Sequence, residues 1–112
     1  MKKFRVNSSS DEKLVTACNK KTKKRCSDPK WLELEDTEHE PSPDTAVLIV
    51  DMRNAEDCVV KVYTTSDAEY VDTVGIDNKG YAVIIPWKPG LNIVCYGRCR
   101  VAEVTATEEN ST

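Results

Sequence analysis

The sequence contains one histidine, His39, and only four glycines. A serine or cysteine nucleophile with a histidine base would have to use His39, which lies between two glutamates in an acidic, proline-containing segment. The glycines are too widely spaced to form a loop that cradles phosphate groups. These scarcities argue against histidine-assisted catalysis and nucleotide binding, and we expect a protein that is not an enzyme and has no cofactor.

Long apolar runs are also absent. No stretch approaches the ~20 apolar residues that a transmembrane helix requires. Lys2 and Lys3 would suit the start of a signal peptide, but no apolar segment follows them. We therefore expect no membrane partner, and a cytoplasmic or virion location is favoured.

Charge is distributed unevenly along the chain, although the net charge is only −3. Residues 1–30 carry ten Lys and Arg against three acids, whereas residues 31–57 carry nine acids against Arg53 alone. Such asymmetry is typical of a charged arm attached to a folded domain. We interpret residues 1–45 as a basic-then-acidic N-terminal arm and linker, partly extended, and residues 108–112 as a polar tail.

Residues 46–107 have the pattern of a β-protein. Six short segments rich in Val, Ile, Tyr and Thr recur about every ten residues and are separated by polar breaks. This spacing predicts an all-β fold, a small antiparallel β-sandwich of six to seven strands, Ig-like or prealbumin-like. The predicted strands cover 46–52, 58–64, 70–76, 80–86, 91–96 and 99–107.

Alternation within these segments predicts which side chains face the core. In 58–64, Cys58, Val60 and Val62 share one face and Lys61 points to the other. The same reasoning predicts a core of eight aliphatic residues: Leu48, Val50, Val60, Val62, Val83, Ile85, Ile93 and Val101.

Turn residues separate the later strands. Asp77–Gly80 has the sequence of a type I turn, and Lys88–Leu91 has that of a type II turn in which Gly90 takes the positive φ. Pro86 lacks an N–H, so it should end its strand or lie on an edge.

The N-terminal arm is less regular. Residues 13–18 are consistent with a short strand, residues 31–35 alternate apolar and acidic side chains as an edge strand would, and residues 35–44 have the composition of a linker.

The five cysteines are odd in number, so a complete disulfide framework would leave one unpaired. Their spacings do not fit a compact zinc site, and we expect no metal. Buried free thiols and disulfides both remain open. Cys95 and Cys99 form a possible pair, but on a continuous strand they would lie about 13 Å apart, so a bond requires a hairpin loop at Tyr96–Arg98.

Two features are candidates for contact with a partner. The first is the basic run of Lys20, Lys21, Lys23, Lys24 and Arg25. No aromatic residue is interleaved with these cations, so a phosphate backbone could bind them but stacking with bases is not indicated. The second consists of the two tryptophans, Trp31 and Trp87, of which Trp87 lies beside a predicted turn and is the candidate for exposure.

The segment 74–94 resembles prealbumin-like and carboxypeptidase-regulatory-like β-sandwiches. In those domains a D-x-x-G turn, here Asp77–Gly80, precedes a strand, a P-G corner, here Pro89–Gly90, and a further strand. The resemblance implies a seven-strand sandwich used for adhesion, assembly or carriage rather than catalysis.

From these patterns we expect a non-catalytic structural protein that acts through surface contacts with other protein subunits, as a homo-oligomer or in a larger assembly. A virion shell or its decoration, an appendage or a surface layer would suit such a subunit. Two alternatives stay open: a nucleic-acid-associated protein that uses residues 20–25, and a secreted β domain that binds a ligand or receptor.

Overall fold

A computed structural model describes residues 2–7 and 10–108. Most of these residues belong to antiparallel strands, which confirms the all-β prediction at the level of fold class. In chain order the elements are β1 (Phe4–Val6), α1 (Asp11–Thr22), β2 (Arg25–Cys26), β3 (Lys30–His39), β4 (Thr45–Asp51), β5 (Val59–Thr64), β6 (Tyr70–Val74), a 3₁₀ turn (Ile76–Asn78), β7 (Ala82–Pro86) and β8 (Leu91–Thr107).

The sheet is organised around β8. Its strand order is β1-β7-β4-β8-β5-β6, and β2 and β3 pair with β8 outside this path. One edge of β8 pairs first with β5 and then with β4, while β3 runs along much of the opposite edge. Because β8 pairs with β5 near its start and with β4 near its end, the sheet curls and encloses a core.

β8 replaces the two strands predicted at 91–96 and 99–107. The predicted break falls at Gly97, which has φ +75°, and the facing strand β3 has a register shift at Asp36, which has φ 44°. The Gly97 N–H donates to Asp36 Oδ1 at 2.8 Å. The two irregularities therefore bend both strands together without ending either one.

The core inside the curl contains all eight residues predicted from alternation, each with no exposed surface. Cys58, Val60 and Val62 are buried while Lys61 is not, as the pattern predicted. Pro86 ends β7, and Gly90 has φ +94°. The preceding turn is shifted by one residue from the prediction: the Tyr81 N–H donates to the Asn78 carbonyl, and Gly80 takes the positive φ.

A second core lies on the outer face of the sheet, where α1 covers β4 and β7. The helix begins at Ser10, whose hydroxyl accepts from the Lys13 N–H, and ends at Lys23 with φ 58°. Leu14 and Cys18, one helical turn apart, are fully buried. The prediction of a strand at 13–18 is wrong, because only this narrow stripe is apolar and it has helical spacing. At 12 residues, α1 is neither long nor apolar enough to cross a membrane, and no other helix among the described residues is.

The structure does not divide at residue 45 into an N-terminal arm and a folded domain. β1 extends the sheet beside β7, α1 supplies the second core, and β2 and β3 pair with β8. The predicted edge strand at 31–35 is part of β3, and the predicted linker at 35–44 overlaps the end of that strand. The N-terminal segment is therefore part of the folded domain, because β4 and β7 have two apolar faces and need a cover on each. Of the predicted tail, only Glu108 lies within the described residues.

Candidate interaction surfaces

The predicted basic run forms one exposed surface at the end of α1 and along β2. We call it the basic surface: Lys20, Lys21, Lys23, Lys24 and Arg25, all exposed. Within residues 2–7 and 10–108 its side chains make one ion pair, between Lys24 Nζ and Glu108 at 3.3 Å. Cations are favourable here because the C-terminal end of a helix carries partial negative charge.

An aromatic ring does lie next to this surface, which the sequence did not indicate. Lys21 Nζ lies 4.2 Å from the centre of the Phe4 ring, and Phe4 packs against the second core. The ammonium group therefore covers one face of the ring, and Phe4 is not free to stack on a base.

β3 carries the opposite charge. We call its exposed acids, Glu33, Glu35, Asp36 and Glu38, the acidic surface. Arg100 lies 3.6 Å from Glu33 and Arg98 lies 3.4 Å from Glu35, so the surface is only partly neutralised. One edge of β3 pairs with β8; in the described part of the chain no strand pairs with the other. Acidic side chains at such an edge discourage pairing with unrelated strands.

The two surfaces lie far apart. Arg25 is opposite Thr107 on β8, whereas Glu35 is opposite Arg98. These positions are nine residues apart in β8, which corresponds to about 30 Å along a strand. That distance exceeds the ~8 Å Debye length at physiological salt. The opposite charges that follow one another in the sequence therefore do not neutralise each other within one molecule.

Trp31, predicted as a contact residue, takes part in an intramolecular network. Its indole N–H donates to Asp11 Oδ2 at 3.0 Å, which connects β3 to the start of α1. The guanidinium groups of Arg100 and Arg53 lie 4.2 and 5.7 Å from its ring. These contacts keep Trp31 half-buried and give it a structural role within the molecule.

Asp51 is the centre of that network. It is 7% exposed and accepts from Arg53 Nε at 2.8 Å and from an Arg100 side-chain nitrogen at 3.1 Å. Burial by itself raises the pKa of Asp51, but the hydrogen bonds from both arginines and the charge of Arg53 outweigh burial and hold the pKa below its ordinary value. Through these hydrogen bonds the carboxylate connects the loop after β4 to β8, which stabilises the fold.

His39 has a partner that the sequence did not reveal. Its Nε2 lies 3.1 Å from Glu103 Oε2, and Glu103 also accepts from the Ser42 N–H at 2.7 Å. Burial raises the pKa of Glu103, and these contacts together lower it below its ordinary value. His39 is therefore fixed at the end of β3. The sequence does not reveal this contact because Glu103 is 64 residues away from His39 in the chain.

Trp87 is buried, so the prediction that its side chain is exposed is wrong. It is 7% exposed, and no acceptor for its indole N–H exists among the described residues. The ring lines a cleft of about 550 Å³ next to the turn between β7 and β8. Its neighbours in the cleft include Val71, Pro86 and Leu91.

The cysteines pair differently from the candidate pair. Cys58 and Cys99 form a disulfide with their Cα atoms 5.1 Å apart, and Cys95 is buried and free. Cys95 and Cys99 cannot bond because β8 continues through Tyr96–Arg98, and no hairpin brings them together.

The remaining free thiols, Cys18 and Cys26, lie in the second core. Burial, with a smaller contribution from Cys26, raises the pKa of Cys18 to about 12, and burial raises that of Cys95 to about 11. Cys18 and Cys95 therefore stay protonated at neutral pH and are not nucleophiles.

Among the side chains that the structure describes, no three His, Cys, Asp or Glu residues gather in a way that could hold a metal ion. Comparison with protein-family models, with curated proteins and with solved structures gives no match.

Proposed function

We propose that this chain is a non-catalytic structural subunit that assembles with further copies of itself. The basic surface of one copy binds the acidic surface of the next. The observation that carries this proposal is the separation of two exposed, opposite charges by about 30 Å along β8. Since they cannot neutralise each other within one molecule, a second molecule is the partner that satisfies both.

The geometry of such a contact is head-to-tail, because two different surfaces meet. Contacts of this kind close into rings or continue into filaments, according to the rotation between copies. Subunits of virion shells or their decorations, appendages and surface layers assemble in this way, and we propose a role of that class.

The unpaired edge of β3 favours a partner of positive charge. Its acids repel acidic strands and would lose their water beside apolar ones, whereas a basic segment is attracted and can reach the free backbone groups of β3. Complementarity of this type supports specificity and fast association more than tight binding. The assembly should therefore be sensitive to salt.

We also propose that the curled sheet is a small β-sandwich of the prealbumin-like type that residues 74–94 resemble. Support comes from the first core, in which Val60 and Val62 of β5 pack in one cluster with Val50 of β4 and Ile85 of β7. Strands on both sides of β8 thus contribute to one core, as facing layers would.

The test is the mass of the protein in solution, measured by light scattering after size exclusion at low and high salt. We expect concentration-dependent assembly at low salt that is lost at high salt. Lys20→Glu, Lys21→Glu, Lys23→Glu and Lys24→Glu together should abolish it, and so should Glu33→Lys, Glu35→Lys and Glu38→Lys together. An equimolar mixture of the two variants should assemble again, because each reversed surface then meets an opposite charge. Lys79→Glu, exposed and outside both surfaces, is the control.

A wild-type protein that stays monomeric at every concentration and salt would contradict the proposal. So would reversed variants that assemble as well as the wild type.

Nucleic acid is the second candidate partner, since five exposed cations suit a phosphate backbone. Titration with a labelled DNA duplex separates the two. Binding that falls steeply with salt and is lost when Lys20→Glu, Lys21→Glu, Lys23→Glu and Lys24→Glu are combined, in a protein that does not assemble, would favour nucleic acid over self-assembly.

A further inference from the structure

The cleft beside Trp87 is distinct from both charged surfaces. It lies between Lys2, the loop that joins β5 to β6, and the turn that joins β7 to β8. Its volume of about 550 Å³ falls within the range of small-molecule sites. Apolar side chains supply most of the wall, and Thr64 and Ser66 add two hydroxyl groups.

Charge in this cleft has one sign. Lys2 and Lys88 are the two charged residues that line it, and no carboxylate is among the lining residues that the structure describes. Both lysines are exposed, and no ion pair involves either within the described residues. An anionic group at the mouth of the cleft would therefore meet two cations and no repelling acid.

The wall itself favours a flat apolar body. Pro86, Trp87 and Pro89 line adjacent parts of the cleft and present ring surfaces. The indole N–H of Trp87 is shielded from water and has no acceptor among residues 2–7 and 10–108, an arrangement that proteins rarely keep.

We propose that this cleft binds a small aromatic carboxylate. The aromatic body lies against Trp87 and the prolines, and the carboxylate lies between the ammonium groups of Lys2 and Lys88. This site is independent of the proposed assembly, because none of its lining residues belongs to the basic or the acidic surface.

The two tryptophans allow a direct test by NMR. The indole N–H of Trp31 is bonded to Asp11 in a distant network, whereas Trp87 lines the cleft. Titration of the full chain with naphthalene-2-carboxylate should shift the Trp87 indole resonance in a saturable way and leave that of Trp31 in place. Naphthalene-2-carboxamide, of the same shape without charge, should bind more weakly.

Two variants test the charge assignment. Lys2→Gln and Lys88→Gln should each weaken binding of the carboxylate about two- to fivefold, as for an exposed ion pair, and leave binding of the amide unchanged. Lys79→Gln is the matched control, and an unmoved Trp31 resonance reports an intact fold. The proposal fails if the Trp87 resonance does not respond at millimolar carboxylate. It fails equally if amide and carboxylate bind alike and neither lysine variant changes their affinity.

Discussion

Cys58 and Cys99 are joined by a disulfide although 41 residues separate them in the chain. The bond connects the segment just before β5 to β8, two residues beyond the bend at Gly97. A cross-link that closes a loop of this length restricts the unfolded chain strongly. It holds the loop between β4 and β5 against the middle of the strand on which the sheet is built.

We expect Cys58→Ala with Cys99→Ala to lower the free energy of unfolding by about 3–4 kcal/mol, measured by urea denaturation. A reducing agent should destabilise the wild type by a similar amount. It should leave the double variant unaffected, which is the control. Equal stability of oxidised and reduced wild type would contradict the prediction.

Three cysteines should be free, and the buried thiols should react slowly in the native protein. Under denaturing, non-reducing conditions a thiol reagent should titrate three groups: Cys18, Cys26 and Cys95. In the native protein, iodoacetamide at neutral pH should modify Cys18 and Cys95 only at the rate of unfolding, because burial raises their pKa to about 12 and about 11. Five titrated thiols, or fast native labelling of either residue, would refute this arrangement.

Gly97 should be the glycine least tolerant of a side chain. It has φ +75°, and a Cβ there would overlap the backbone carbonyl of Asp57. Gly97→Ala should therefore lower the free energy of unfolding by about 3 kcal/mol or more. Gly80→Ala and Gly90→Ala are matched controls, since both have φ +94° and open space around the added atom. They should cost only about 1–2 kcal/mol of backbone strain. Equal losses at all three positions would argue against a close approach at Gly97.

The helix should contribute to stability rather than move independently. Leu14→Ala removes a fully buried side chain and should lower the free energy of unfolding by about 2–5 kcal/mol. Thr16→Ala, on the exposed side of α1, should change it by less than about 0.5 kcal/mol. A chain that begins at Asp44 lacks α1 and β3 and should lose its cooperative transition. If Leu14→Ala were neutral, α1 would not be packed on the sheet.

Stability should fall in acid. The pKa values of Asp51 and Glu103 lie below their ordinary values of 3.8 and 4.5, so the unfolded chain takes up protons at a higher pH than the folded one. Their contribution is complete above the ordinary values and is lost as the pH falls through the folded values. The free energy of unfolding should therefore be steady above about pH 5.5 and decline below it. Glu103→Gln should flatten part of this decline, whereas Glu69→Gln, at an exposed loop position, should not. An unchanged slope in Glu103→Gln would contradict the assignment.

Alternation of side chains was sufficient to predict the inner core, because a strand whose two faces differ shows that difference in every second residue. It could not predict the outer core. Val47 and Ile49 of β4 are as buried as Leu48 and Val50, so their segment is a continuous apolar run without a polar face. Such a run indicates a strand covered on both sides, and the cover, α1, has too few apolar residues to be recognised by itself.

The candidate surfaces were predictable only in part. The cations of residues 20–25 could be identified from sequence, since a cluster of five charges is local. Their separation from the acids of β3, the partner of His39 and the burial of Trp87 depend on residues from other parts of the chain. Glu103, for example, is 64 positions from His39, and no local pattern encodes such a contact.

The amino-acid sequence by itself determined the β class, the inner face of the sheet, the turns near Gly80 and Gly90, and the sign of charge in each segment, because these follow from neighbours along the chain. Only the tertiary structure decided that Cys58 bonds to Cys99, that β8 bends instead of ending, and that the opposite charges lie on separate surfaces. Those outcomes depend on which distant strands pair, and strand pairing is chosen by the whole core acting together.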